Sequence, residues 1–180
     1  MKSYCIAESP LGSALLFSDA PALRRFPEDL RLWVSNAALL RLAQGVAQEH
    51  APATLHPVFS FTARRFHPPW QMLSLLSYSL ASGIWHSRAT AEIAALDPDL
   101  FALCHGEAPS AEVIRQFRGQ NQTAIVQCLE LLLRRVWLHR HGQGAVARHA
   151  FLMAEILSEA RTRLRRAEES EAGDIDFADE

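Results

Sequence analysis

The 180-residue chain is long enough for one domain with appended segments, and its apolar content of 49% argues against intrinsic disorder. The formal net charge of −2 conceals an asymmetry, because residues 168–180 hold seven acidic side chains and no basic one. Residues 1–167 therefore carry 18 basic against 13 acidic side chains, a net charge of +5. Seventeen of the basic residues are arginine, which suits phosphate and guanine contacts, although a GC-rich genome would produce the same excess.

The sequence disfavours a membrane protein, a secreted protein and a metalloprotein. The longest uncharged run, Pro68–Trp85, contains serines and prolines, so no membrane span or membrane partner is expected. The N-terminus lacks the features of a signal peptide, which predicts a cytoplasmic location. Cys5, Cys104 and Cys128 form no CxxC pair, so we expect reduced, mostly buried thiols. The histidine-rich segment 139–149 offers too few convergent ligands for a metal, and no cofactor is expected.

The first half of the chain predicts helices after an irregular start. Residues 1–26 are interpreted as an N-terminal arm. Acidic residues follow Pro27 and favour a helix that begins there and runs to about Gln48. The connector His50–Arg65 follows, and Val58–Phe66 is the nearest approach to a strand, short and isolated. The fold class is therefore predicted to be all-α.

A central helix and three short helices are predicted next. Pro68 and Pro69 open a helix that is apolar over most of its surface, which is typical of a buried central helix. Three short helices then begin at capping residues and end near glycine or histidine: Ser87–Leu96, Asp97–His105 and Ser110–Gly119. Three helices of this length, joined by tight turns, predict a compact trihelical unit.

The last third of the chain predicts two more helices and a tail. Apolar spacing indicates a helix from about Asn121 to His139, and Val146–Glu169 is amphipathic. The predicted architecture is a multi-helix bundle. Its parts are an arm (1–26), a helical domain (27–141) with a helix-turn-helix-like unit (87–119), a C-terminal amphipathic helix (142–169) and an acidic disordered tail (170–180).

The third short helix is the candidate DNA reader. The third helix of a trihelical unit enters the major groove, with its N-terminal half facing base edges. Burial of its apolar side chains leaves Arg115, Gln116 and Arg118 outward. Arginine pairs with guanine and glutamine with adenine, while Ser110 and the amides at the helix start suit a phosphate. A plain helical bundle gives the same pattern and remains the alternative.

An ordered string of short motifs runs through residues 67–121. Its pieces are His67-Pro68-Pro69, Met72-Leu73, Leu75-Leu76 with Tyr78, Gly83-Ile84, Ser87-Arg88, Glu92, Asp97, Phe101, Leu103, Gly106, Pro109, Ser110, Ile114, Phe117-Arg118 and Asn121. This string resembles the N-terminal helical domain of InsH-type insertion-sequence transposases, and Phe26–Leu30 resembles the opening of that domain. The resemblance implies binding to the terminal inverted repeats of a mobile element.

The resemblance also implies a set of DNA-binding positions. Arg88, Ser110, Arg115 and Arg118 stand where the family carries polar or basic residues, and Gln116 joins them from the helix pattern. For Arg88 and Arg118 a structural role remains open, in which Arg88 pairs with Glu92 and Arg118 with another carboxylate.

The chain departs from the transposase pattern after the helical domain. The family continues into an RNase H-like domain with strand-borne Asp, Asp and Glu that bind two divalent ions. Neither the expected Asp-Gly-Thr strand nor flanking catalytic strands follow Trp137 in this sequence. We therefore predict that the chain is not an enzyme by itself. It is a regulator of element ends, one part of a split transposase or a domesticated remnant.

Two functions of different classes follow from these observations. The first is a transposase-derived protein that binds double-stranded DNA, which predicts a basic surface around Arg115 and Arg118 with few neighbouring acids. The second is a helical interaction module that forms a homodimer through an apolar patch on the last two helices, including Leu131 and Leu138. A folded decay product without a selected role is a third.

The acidic tail either aids solubility or covers the arginine-rich helix end or the DNA-binding face, which would weaken nonspecific binding.

Overall fold

Seven α-helices make up most of the part of the chain that this computed structural model describes, residues 26–50, 55–60, 65–142 and 152–175. They are α1 (Asn36–His50), α2 (Pro69–Ala81), α3 (Ser87–Leu96), α4 (Pro98–Leu103), α5 (Ala111–Gln120), α6 (Gln122–His141) and α7 (Leu152–Ile175). The predicted all-α, multi-helix fold class is confirmed. The helix-turn-helix identity of α3, α4 and α5 stays a prediction. The predicted arm lies outside the described residues except for Phe26.

The first predicted helix is divided in two, so its expected start at Pro27 was wrong. Leu30–Leu32 form a 3₁₀ turn, and the carboxylate of Asp29 accepts a hydrogen bond of 2.8 Å from the backbone of this turn. The hydroxyl of Ser35 accepts a second bond, from the backbone N–H of Ala38, at the start of α1. These local side-chain bonds offer the backbone an alternative to one continuous helix.

The connector after α1 contains a short antiparallel strand pair. Val58–Ser60 forms β1 and Arg65–His67 forms β2, with Val58 opposite His67. The two ends of the strand-like run noted in the sequence therefore pair with each other. Val58 is buried, and β1 packs against α5. The pair closes one side of the helical core and leaves the fold class unchanged.

Helix α2 is the centre of the fold, as its composition predicts. Every residue from Gln71 to Ala81 is buried. Helices α1 and α6 pack against it, and α3, α5 and α7 also contact it. Cys104 and Cys128 are buried thiols that form no disulfide with each other, which confirms the prediction for these two cysteines, whereas Cys5 lies outside the described residues.

Capping residues set the ends of the three short helices. The carboxylate of Asp97 caps α4, and the hydroxyl of Ser110 accepts a bond of 3.3 Å from the backbone of α5, as the sequence predicts. Gly106 has a φ of 78° after α4, a conformation that favours glycine. The predicted cap of α3 was wrong by one position. His86 caps α3, because Ser87 is the first helical residue and its backbone N–H binds another partner.

Helix α7 continues further than the sequence predicts. It runs from Leu152 to Ile175, so residues 170–175 of the predicted disordered tail are helical. The correction has a physical cause: Glu171 is buried and makes ion pairs with α5, which ties the end of α7 to the domain. Residues 143–151 and 176–180 lie outside the described part. Helix α7 packs along α6 and contacts α2.

Candidate nucleic-acid interface

Arg118 does not face outward as predicted. Its side chain is only 5% exposed, and its Nη2 lies 2.8 Å from Oε1 of Glu171. Its Nη1 donates a hydrogen bond of 3.3 Å to the carbonyl oxygen of Trp85. Arg118 follows Ile114 by four residues, so both lie on the same face of α5, and Ile114 is fully buried. This spacing was a signal in the sequence for the buried position.

Arg115 is the more accessible arginine of α5. Its side chain is 50% exposed, with Nε 2.7 Å from Oε2 of Glu171. Its Nη1 lies 2.6 Å from Oε2 of Glu112, one helical turn earlier. The hydrogen bond to Glu171 is the main cause that raises the pKa of the Arg115 guanidinium. Arg115 therefore combines an exposed edge with two carboxylate partners.

Glu171 joins the start of α3 and two arginines of α5 to α7. Its Oε1 accepts a hydrogen bond of 2.8 Å from the backbone N–H of Ser87, at the start of α3. The same oxygen contacts Arg118, and Oε2 contacts Arg115. Burial acts to raise the pKa of Glu171, but the hydrogen bonds from Ser87, Arg115 and Arg118 outweigh it and lower the pKa to about 2. The carboxylate is thus held firmly in its charged form.

The other predicted DNA-binding residues have separate environments. Arg88 is exposed and lies 3.6 Å from Glu92, one turn further along α3. Gln116 is exposed on α5, and Ser110 is exposed at its cap. The alternative kept open for Arg88 and Arg118, ion pairing within the protein, is confirmed. Among these residues, only Arg115 and Arg118 share a partner.

The charge around α5 differs from the expected basic surface. Three arginines meet three glutamates in this region, which are Arg88, Arg115 and Arg118 with Glu92, Glu112 and Glu171. A balanced set of ion pairs attracts phosphates weakly at long range, because opposite charges cancel beyond about a Debye length, roughly 8 Å at physiological salt. With these ion pairs formed, the surface around α5 lacks the positive electrostatic potential that was predicted for it.

The apolar patch predicted on the last two helices is also not observed. Leu131 and Leu138 are half-buried and pack against the core. Among the large apolar side chains of α6 and α7 whose exposure the structure describes, which are those within residues 122–141 and 153–172, only Met153 is exposed. Two other exposed apolar side chains lie beside the turn between α3 and α4: Leu96 is 81% exposed, and Phe101 is also accessible.

A second arginine cluster anchors α7 and was missed by the sequence interpretation. Arg163 is fully buried, and its Nη1 donates to the carbonyl oxygens of Glu28, Leu80 and Ala81 at 2.9, 2.9 and 3.1 Å. Leu80 and Ala81 end α2, so the guanidinium satisfies carbonyls that have no partner within the helix. Its Nη2 donates to a further carbonyl, that of Pro27.

Two neighbours complete the Arg163 cluster. Nε of Arg163 lies 2.7 Å from Oε1 of Glu159, and the guanidinium lies 5.8 Å from the ring centre of Trp85. Burial lowers the pKa of Arg163, and the coulombic attraction of Glu159 opposes that effect. The sequence periodicity marks Arg163 as a buried residue. Its spacing from Ile156, Ala160 and Ala167 places it on their buried stripe, which was the available signal.

An amide-rich cavity borders α5. It has a volume of about 530 Å³ and is lined by Leu55, His56, Gly119, Gln120, Asn121, Gln122, Thr123, Ala124 and Gln127. The side chain of Asn121 accepts a hydrogen bond from the backbone N–H of His56 at 2.9 Å and donates to its carbonyl oxygen at 3.1 Å. Asn121 therefore holds the segment before β1 against the junction of α5 and α6.

Within the described segments, no group of three or more His, Cys, Asp or Glu side chains is placed to hold a metal ion. None of the helices in the described part is both long and apolar enough to cross a membrane. His149, which belongs to the histidine-rich segment considered above, lies outside these residues.

Comparison with known proteins adds no relative. No protein-family model, curated protein or solved structure matches this chain. The transposase resemblance of residues 67–121 therefore stays an expectation from the sequence.

Proposed function

We propose that this chain is a non-catalytic, transposase-derived protein that binds double-stranded DNA through α5. The observation that carries the proposal is the division of α5 into two faces. Val113, Ile114 and Phe117 are buried, whereas Gln116 and Gln120 are exposed together with half of the Arg115 side chain. A short helix with a buried apolar face and a polar outer face is the form in which trihelical proteins present side chains to the major groove.

The polar outer face extends beyond α5 onto the start of α6. One cavity there is lined by Gln120, Gln122, Thr123 and Gln127, which follow Gln116 in the chain. Glutamine pairs bidentately with adenine in the major groove, and hydroxyls contact either base edges or phosphates. This composition favours readout of base edges over general attraction to phosphates.

The neutral charge of the site favours selective binding with little nonspecific binding. Nonspecific affinity for DNA comes almost entirely from phosphate neutralisation by Lys and Arg. The arginines of this site are already paired with Glu92, Glu112 and Glu171. A regulator that occupies the terminal inverted repeats of an element has use for such selectivity.

A second candidate function is a protein–protein interaction module that forms a homodimer. The observation that favours it is the accessible pair Leu96 and Phe101 beside the α3–α4 turn. The expected interface on α6 and α7 is replaced in this candidate by one on α3 and α4. A mutation of Leu96 to serine then shifts the protein to a monomer in sedimentation velocity, with Leu32→Ser, equally accessible elsewhere, as the control.

The test of the DNA proposal is selection of bound sequences from a random duplex library at physiological salt. We expect an enriched motif, and Gln116→Ala relaxes its preference at one position by about 1–3 kcal/mol. Gln48→Ala, an exposed amide on α1, leaves the motif unchanged. A library that stays unenriched while the protein sediments as a dimer overturns the DNA proposal in favour of the second candidate.

A further inference from the structure

The geometry points to an oxyanion site, formed by the backbone N–H of Ser87 with Arg115 and Arg118, that Glu171 occupies as an internal stand-in for a phosphodiester of DNA. The last two turns of α7 withdraw when DNA binds, and a backbone phosphate takes the place of the carboxylate. The identity of the ligand as DNA rests on the proposed function. The site itself rests on the contacts of Glu171.

The donors converge from two helices on one carboxylate. Ser87 donates from the N-terminus of the ten-residue helix α3 at 2.8 Å, and Arg118 contacts the same oxygen at 2.8 Å. Arg115 donates to the other oxygen at 2.7 Å. A helix N-terminus with two guanidinium groups is a donor set that proteins use for phosphate groups. The buried carboxylate shows that this set accepts an anion.

The site is built into the fold and is independent of α7 for its donors. Arg118 is held by α5, whose Ile114 and Phe117 are fully buried, and it also donates to the carbonyl of Trp85. Ser87 is the first residue of α3, which packs against α5. Removal of Glu171 leaves these positions in place. The same donors then face an open position that an external anion can fill.

The end of α7 has features of a segment that detaches at low cost. Glu171 lies in the last two turns of the helix, and Glu168 and Glu169 precede it, while the last turn carries no basic residue. Acidic side chains near a helix C-terminus oppose the helix dipole, and helix ends have the lowest local stability. Arg163 anchors the helix two turns earlier, so the end can separate while the rest of α7 stays docked.

Release of Glu171 changes the charge of the predicted reading face. In the closed state, Arg115 and Arg118 are balanced by Glu112 and Glu171. In the open state, one of these two carboxylates leaves, and the face gains a net positive charge beside the exposed glutamines of α5. Nonspecific contacts therefore stay weak until a binding site contributes enough base contacts to open the end of α7.

The first experiment tests the anion site without DNA. Glu171→Gln keeps the shape of the side chain and removes its charge, and Glu169→Gln is the matched control, because Glu169 is exposed on the same helix. Melting temperatures are compared in sodium phosphate and in sodium chloride at equal ionic strength. Phosphate raises the melting temperature of Glu171→Gln more than that of the wild type or the control. If phosphate raises the melting temperature equally in all three proteins, the proposed anion site is contradicted.

A double variant identifies the donors. Glu171→Gln combined with Arg118→Met removes one guanidinium from the site, so the additional stabilisation by phosphate disappears. Persistence of that stabilisation means that phosphate binds elsewhere and contradicts the assignment.

For a readout that needs no variant, hydrogen exchange of the wild type is measured at Ser87 and in the last two turns of α7. Selected duplex DNA increases exchange at the end of α7 and preserves protection at Ser87, whereas unchanged exchange at the end of α7 contradicts the displacement.

The DNA experiment separates the failure of this inference from the failure of the proposed function. Glu171→Gln binds a nonselected duplex about tenfold more tightly than the wild type, and its salt slope is steeper by about 1 for each added phosphate contact. Phosphate stabilisation without any DNA binding leaves the site standing and overturns the proposed function. DNA binding that is equal in the two proteins leaves the function standing and overturns the displacement of Glu171.

Discussion

Two buried arginines at the α7 interface have different partners. Arg163 bonds mainly to backbone carbonyls, those of Pro27, Glu28, Leu80 and Ala81, and pairs with one carboxylate, that of Glu159 on its own helix. Arg118 is neutralised by the carboxylate of Glu171 and has one carbonyl contact. Backbone carbonyls belong to fixed elements, whereas a carboxylate on a helix end can move and be replaced by another anion. The first arrangement is suited to holding the fold and the second to exchange.

The largest effect is expected at the first of these two arginines. Arg163→Met removes the donor that bonds the carbonyls of Leu80 and Ala81 at the end of α2, and we expect a loss of about 3–5 kcal/mol in the free energy of unfolding. Arg161→Met, on the exposed side of the same helix, changes stability by no more than about 0.5 kcal/mol. Urea denaturation measures both. A similar, small effect for the two variants would contradict the anchoring role of Arg163.

A smaller loss is expected at the exchangeable site. Glu171→Gln leaves two guanidinium groups without their charged partner, and we expect a loss of about 1–3 kcal/mol in the free energy of unfolding. The effect is smaller than for Arg163 because Arg115 is half-exposed and reaches water and Glu112. Glu169→Gln serves as the control in the same denaturation experiment. If Glu171→Gln lowers the free energy of unfolding as much as Arg163→Met does, the two sites do not differ in the way described.

The two sites also differ in their response to acid. The pKa of Glu171 is lowered to about 2 in the folded protein, so its stabilising contribution is complete above the ordinary carboxylate range. That contribution is lost as the pH falls toward the folded-state pKa of about 2. The carbonyls around Arg163 do not titrate. Between the ordinary carboxylate pKa and the folded-state pKa of Glu171, the free energy of unfolding therefore falls less steeply with decreasing pH in Glu171→Gln than in the wild type. Parallel curves of the free energy of unfolding against pH would contradict the prediction.

The smallest effect is expected at the exposed ion pair of α3. Arg88 and Glu92 are separated by 3.6 Å and are both largely in water. Arg88→Ala is expected to change the free energy of unfolding by no more than about 0.5 kcal/mol. In the DNA selection, the same variant weakens binding uniformly across sequences if Arg88 contacts a phosphate. A change of the preferred motif would instead assign Arg88 to base readout.

Local signals in the sequence predicted much of the fold. Asp97, Ser110 and Gly106 mark helix ends because capping and positive φ depend on the residue itself and its nearest neighbours. The central position of α2 followed from its nearly continuous apolar composition. Two of the predictions that were wrong, the start at Pro27 and the disorder of residues 170–175, concern segments whose backbone depends on side-chain bonds. In the first case these bonds are local, and in the second they cross the molecule.

The chain by itself determined which residues form helices and which faces those helices bury, because periodicity and capping are properties of short segments. Only the tertiary structure decided the partners of the buried charges. Arg115 and Glu171 are 56 residues apart, and Arg163 and the carbonyl of Glu28 are 135 apart. Periodicity places a side chain on a face but carries no information about which distant group meets it there. Arg115 and Arg118 therefore lie on α5, as the sequence predicts, while their shared carboxylate partner, Glu171, follows only from the packing of α7 against the domain.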